Sequence, residues 1–251
     1  MTEVLAATNM LIGKALSKSF GENRVLDGVG VSVQPGRITA LIGPSGGGKS
    51  TLLKVLAFLV PPDKGVVSID DREYSFPMAV DTEPAPPWPK LTIVFQELYL
   101  WPHLTIRQNI NLPLKDSRPP EVDRRVAELV GLFGIGEYID RYPNQVSLGQ
   151  RQRAAIVRAQ ALDPDYLLLD EITSALDVEH VAVLLELLKT LRDQGTGILL
   201  ATHLIGFAKR AADRVVFLEH GKIVEEGGPD MLHSPKTERL EKFLSLVDTA
   251  S

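Results

Sequence analysis

Gly43-Pro44-Ser45-Gly46-Gly47-Gly48-Lys49-Ser50 fits the pattern G-x-x-x-x-G-K-[ST]. The apolar run over residues 37–42, entered through Pro35-Gly36, reads as a strand; residues 51–60 read as a helix stopped by Pro61-Pro62. A glycine-rich loop set between strand and helix has a physical use. Without a Cβ in the way, backbone N–H groups turn inward around phosphate oxygens, and the following helix adds its positive end. Lys49 supplies a point charge for the outer phosphates, and the Ser50 hydroxyl is a ligand for Mg²⁺. By itself such a loop serves kinases, GTPases and ATPases alike.

The rest of the composition narrows the class. The chain has 251 residues and a net charge of −5, which argues against a nucleic-acid binder with its basic face. It contains no cysteine, which excludes disulfides, thiolate metal sites and thiol catalysis and fits a reducing compartment. No apolar run approaches the roughly 18 residues of a membrane span. Glu3 and the lack of a basic cluster near the N-terminus do not read as a signal peptide. A soluble protein is expected, reaching any membrane only through a partner.

Outward from the loop, short apolar runs over 11–16, 25–33 and 66–69 read as strands. Pro77, Pro84, Pro86, Pro87 and Pro89 make residues 71–90 a stiff surface loop, after which 91–95 resumes as a strand. Val122, Val126, Leu129, Val130 and Phe133 share one helical face. A helix over 148–162 is opened by Ser147 and closed before Pro164. Strand and helix then alternate over 166–169, 178–193, 197–202, 205–212, 215–218 and 222–225, with a terminal helix near 237–247. That alternation implies a parallel sheet covered on both faces.

Two further stretches carry chemistry. Tyr166-Leu167-Leu168-Leu169-Asp170-Glu171 is an apolar strand ending in two carboxylates. Asp170, at a strand end beside the phosphate loop, suits Mg²⁺; Glu171, one residue on, points elsewhere and can polarise an attacking water. Val146-Ser147-Leu148-Gly149-Gln150, followed by Arg151-Gln152-Arg153, lies between that loop and the acidic pair.

Here the sequence resembles the ATP-binding-cassette (ABC) ATPases, whose signature LSGGQ-x-QR occupies that interval. Gln96 after Ile93-Val94-Phe95 matches the family's Q-loop. Ser174-Ala175-Leu176-Asp177 matches its D-loop, Thr202-His203 its switch histidine, and Phe20 the aromatic that stacks on adenine. Within the family the chain is similar to ATPase subunits of polar amino-acid importers, through Trp101-Pro102-His103-Leu104-Thr105 with Asn109, Gly206-Phe207-Ala208 and Ala212-Asp213-Arg214-Val215.

The resemblance implies a RecA-like P-loop α/β core with an N-terminal antiparallel β subdomain and an inserted helical subdomain. Its segments are a β region and core over 1–95, a helical part over about 97–162, core again over 163–228 and a C-terminal helix over 229–251. It implies ATP hydrolysis coupled to import of a small polar solute, an amino acid. ATP is held by Phe20, Gly43 to Ser50 and Thr51, with Gln96. Ser50, Gln96 and Asp170 attend Mg²⁺, while Glu171 and His203 are catalytic. Ser147, Gly149 and Gln150 act on the nucleotide of a second, head-to-tail subunit. Transmembrane permease subunits, an extracytoplasmic solute-binding protein and a peripheral place at the cytoplasmic face of the inner membrane follow from it.

Two residues depart from the pattern: Leu148 replaces the first signature glycine, and Ile172 the proline after the glutamate. Leu148 adds bulk where the backbone must approach ATP, which favours one rival, a regulatory ABC module that dimerises with little turnover. A small-molecule kinase, the other rival, leaves the signature stretch without a use.

Overall fold

The computed structural model describes residues 9–78, 84–114, 120–173 and 178–250. Two sheets organise them. The first is antiparallel, in the order β2-β1-β4-β5, from β1 (Leu11–Phe20), β2 (Asn23–Val33), β4 (Lys64–Ile69) and β5 (Arg72–Phe76). The second contains β3 (Ile38–Ile42), β6 (Leu91–Val94), β7 (Tyr166–Asp170), β8 (Gly197–Ala201), β9 (Arg214–Glu219) and β10 (Lys222–Gly227). Its order is β10-β9-β3-β8-β7-β6, parallel from β9 to β6, with β10 antiparallel at the edge.

β3, β7 and β8 are buried at every position, which is why they read as unbroken apolar runs rather than alternating ones. The helix α1 (Lys49–Leu56) turns Leu52, Leu53, Val55 and Leu56 into a core shared with Leu11, Leu26, Val33 and Val67 of the antiparallel sheet. On the opposite side Leu167, Leu169, Ile198 and Leu200 pack with α2 (Ile106–Asn111), α3 (Pro120–Leu132), α4 (Leu148–Gln160) and α5 (Val178–Asp193). A third cluster gathers Phe217, Ile42 and Val215 under α6 (Ile205–Ala211) and α7 (Glu238–Ala250), with Phe217 and Phe243 stacked at 5.0 Å.

Three stretches differ from the sequence expectation. The helix after the phosphate loop ends at Leu56, not at residue 60. Phe58 takes a left-handed φ of 56°, and its ring meets the edge of Tyr74 at 4.8 Å. Part of the expected loop over 71–90 is β5, since residues 72–76 lack proline and pair with β4 in the register Val67↔Tyr74. Residues 229–237 are not helical throughout: Pro229–Leu232 makes a short 3₁₀ turn, and α7 starts only at Glu238, beyond Pro235. The D-loop stretch, residues 174–177, lies outside the described residues.

Among the described residues, no helix is long and apolar enough to cross a membrane.

Candidate nucleotide site

The parallel strands aim their carboxyl ends at one rim, where the loop following β3 meets the residues following β7 and β8. Loop shape comes first. Gly43, Gly46 and Gly48 have φ of 149°, 75° and 105°, conformations that side chains strongly disfavour. A Cβ on Gly43 would lie 2.0 Å from the Leu218 carbonyl oxygen, and one on Gly48 2.8 Å from that of Val25. The loop is therefore pressed against β9 and β2; Gly43 and Gly48 are required by contact as well as by torsion, Gly46 by torsion alone. Ser45 and Gly46 form its exposed crown, while Gly43, Gly47 and Gly48 are buried and Pro44 half-buried.

Lys49 opens α1 and folds back over the loop. Its Nζ donates to the carbonyls of Gly43 at 2.9 Å and Pro44 at 3.0 Å, and lies 3.4 Å from Glu171 Oε1. The side chain is 4% exposed, so these oxygens offset the removal of its charge from water. Ser50, next in the helix, donates from Oγ to Asp170 Oδ1 at 2.9 Å. Thr51 follows in the same first turn, half-buried.

At the tip of β7 the chain changes direction sharply. Glu171 has a φ of 49°, and its N–H donates to the Ala201 carbonyl at 2.9 Å. Its carboxylate lies between Lys49 on one side and His203 Nδ1, 3.4 Å from Oε2, on the other. A strained non-glycine residue held by neighbouring strands is a feature met at functional sites. Asp170 is 5% exposed, and burial pushes its carboxyl above the usual carboxylate range; Ser50 opposes that shift and the nearby Glu171 adds to it.

The remaining expected residues distribute as follows. Gln96 is exposed just beyond β6, the strand beside β7; no hydrogen bond joins it to Ser50 or Asp170. Phe20 closes β1 at 52% exposure with Lys18 Nζ 5.5 Å from its ring centroid, leaving an aromatic face open beside the strand that abuts Gly48. His203 is half-exposed. Ser147, Gly149 and Gln150 stand apart at the start of α4, and no hydrogen bond ties them to the phosphate loop of the same chain. Ser147 caps that helix: Gln150 N–H donates to its Oγ at 3.2 Å, and its own N–H donates to Gln150 Oε1 at 2.9 Å.

The two departures have physical accounts. Leu148 is the first residue of α4, in ordinary helical backbone, so this position does not require a glycine's torsions. Close packing falls one residue later, where a Cβ on Gly149 would meet His180 Cδ2 at 2.6 Å. Ile172 is 1% exposed within the core beneath the helices.

Two features were not anticipated. Thr173 and Thr202 join hydroxyls at 3.0 Å, fastening the segment after Glu171 to the one before His203. No residue pattern announces that pair. Arg158 donates to the Leu98 and Tyr99 carbonyls at 2.8 and 2.6 Å, pinning the segment after Gln96 to α4. Its place in the signature helix was the available signal.

Comparison with known proteins now decides the family: a family model described as ABC transporter matches residues 26–174. The chain belongs to the ABC transporter family. It is an ABC-type ATPase cassette, and the elements above are that cassette's parts. It is 39% identical to the arginine transport ATP-binding protein ArtM of Bacillus subtilis (strain 168), over 95% of this chain and all of that one. It is 38% identical to the L-cystine import ATP-binding protein TcyC of the same organism, over 95% and 98%. A cassette solved as a dimer in a post-hydrolysis state, bound to ADP and phosphate, superimposes with a TM-score of 0.74 at 30% identity. That match covers 87% of this chain and 98% of that one.

Proposed function

We propose that this ABC ATPase hydrolyses ATP to drive import of an amino acid through separate membrane permease subunits. The observation that carries the hydrolytic reading is the position of Glu171, between Lys49 Nζ and His203 Nδ1 at 3.4 Å from each and one residue from Asp170. In this reading the N–H groups of the glycine-rich loop and Lys49 hold the phosphates, with Thr51 beside them and Phe20 under the adenine. Glu171 accepts a proton from the attacking water, and His203 contacts the γ-phosphate.

The donor set fits Mg²⁺. One carboxylate and one hydroxyl, already hydrogen-bonded to each other, suit a cation that keeps several waters and phosphate oxygens around it. Ser50, Asp170 and Gln96 would attend it, and it would neutralise charge on the phosphates.

Ser147, Gly149 and Gln150 complete the site of a second subunit, in a homodimer or with a paired cassette. Ser147, exposed at the N-cap of α4, supports that role, since the N-terminal end of a helix favours an incoming phosphate. For the permease we assign the face bearing Tyr99 and Trp101, 62% and 51% exposed beside the segment after Gln96. Fully buried Asn109 holds this face rigid, accepting from Trp101 N–H and donating to the Trp101, Leu104 and Thr105 carbonyls. The cassette then sits peripherally at the cytoplasmic side of the membrane, and a solute-binding protein delivers the amino acid from the other side.

The amino-acid class rests on the names of the relatives. Uptake of labelled amino acids into vesicles containing the assembled transporter, with and without internal ATP, tests it; ATP-dependent uptake of a sugar or metal ion instead would reject it.

A further inference from the structure

The phosphate loop leans on a second loop whose anchor lies far away in sequence. The Leu218 carbonyl fills the space beside Gly43 and Gly47, and Gly221 N–H donates to the Gly47 carbonyl at 3.2 Å. Gly221 in turn accepts from Asp27 N–H at 2.9 Å, so the tight turn between β9 and β10 is wedged between the phosphate loop and β2. His220 and Gly221 both have left-handed φ, 47° and 71°. Glu219 and Lys222 pair across it, so it is a two-residue hairpin turn, and positive φ at both central residues is the type I′ geometry favoured there.

One flank is Glu219. Its side chain is 5% exposed, its Cα lies 3.7 Å from where a Gly47 Cβ would stand, and it forms a two-pronged ion pair with Arg239 of α7. A buried carboxylate needs such a partner, because losing it leaves an uncompensated charge. The forked guanidinium also fixes the carboxylate in orientation as well as in place. The same helix is held at its start by Glu225, which accepts from the N–H groups of Lys236 and Thr237 and from the Thr237 hydroxyl.

We infer that Arg239 is a positioning residue for nucleotide binding: through Glu219 and the 218–221 turn it holds the amides of Gly46 to Gly48 in their phosphate-binding arrangement. The C-terminal helix is thereby part of the nucleotide site without touching nucleotide. The inference rests on the nucleotide reading of that loop.

The test measures equilibrium binding of a fluorescent N-methylanthraniloyl ATP to the full chain, with amide hydrogen exchange and melting temperature recorded alongside. Arg239→Ala is expected to weaken binding on the order of tenfold, the low end of what losing a supporting partner costs at metal sites. It should also speed exchange at residues 45–48 and raise KM for ATP more than it lowers kcat. Arg239→Lys, which keeps the charge but loses the fork, guards against a variant that unfolds and should fall between the two. Unchanged probe affinity and unchanged exchange at residues 45–48 in a folded Arg239→Ala or Arg239→Lys, with only α7 exchange or melting altered, would overturn the inference. Failure of the wild-type chain to bind the probe would instead strike at the nucleotide reading itself.

Discussion

Lys49 Nζ stands 3.4 Å from Glu171 Oε1, across the gap between the phosphate loop and the tip of β7. Both side chains are largely shielded, so the ammonium is shared among this carboxylate and the Gly43 and Pro44 carbonyls. In the proposed function a γ-phosphate entering the loop would compete for that same ammonium. Substrate binding and release of Glu171 to act on water would then be linked through one lysine, whose charge is worth more in this shielded place than in water. Five expectations follow from this site and its surroundings.

Gly43→Ala should lose both stability and nucleotide binding. Its Cβ would meet the Leu218 carbonyl oxygen at 2.0 Å, and the backbone there has a φ of 149°. Strain of this kind costs about 1–3 kcal/mol, visible as a lowered melting temperature. A variant that melts and binds ATP like the wild type would show that the loop is not pressed against β9.

Asp170→Asn should raise the melting temperature at neutral pH while abolishing Mg²⁺-dependent hydrolysis. Burial raises the folded-state pKa of Asp170 above its unfolded value, so the carboxylate opposes folding above the folded pKa. That penalty fades as pH falls toward the unfolded value. The amide keeps an acceptor for the Ser50 hydroxyl but cannot attract the cation. A lower melting temperature for the asparagine form at pH 7 contradicts this account.

Leu148→Gly is expected to destabilise the chain by up to about 1 kcal/mol, the difference in helix propensity at an N-terminal position being an upper bound. From sequence alone, the leucine's bulk looked like a brake on turnover. Its helical torsions show that the position does not need a glycine's backbone. The bulk itself remains, at the face proposed to meet a second subunit. Turnover of the assembled transporter that rises with the glycine form would show that the bulk alone slows hydrolysis.

Trp101→Ala should leave melting temperature and nucleotide affinity nearly unchanged, because the ring is 51% exposed and its backbone is held by Asn109. Co-purification with the permease subunits should fall. An unfolded variant would show that Trp101 is a packing residue instead.

The order of elements was legible because the strands of the parallel sheet are buried on both faces and so read as apolar runs. Residues 166–170 and 197–201 are examples, each cut off by a charged or polar residue at the site rim. The phosphate loop, the acidic pair and Ser147 were legible because their chemistry is local in sequence. What escaped was tertiary. The left-handed torsion of Glu171 lies where its N–H meets the Ala201 carbonyl of β8, the Thr173–Thr202 link joins the segments that follow β7 and β8, and the support behind Gly47 comes from residues 218–239. β5 was hidden by the prolines that follow it, although residues 72–76 contain none.

Glu171→Gln tests the central assignment most directly. The amide keeps the shape and much of the polarity of the side chain but cannot take a proton from water. ATP binding and steady-state phosphate release should be measured on the same preparation, with oligomeric state followed in Mg-ATP. The account predicts ATP affinity close to wild type, phosphate release reduced by 10²-fold or more as an order of magnitude, and accumulation of an ATP-bound dimer. Phosphate release near the wild-type rate, with the variant remaining monomeric in Mg-ATP, would contradict it.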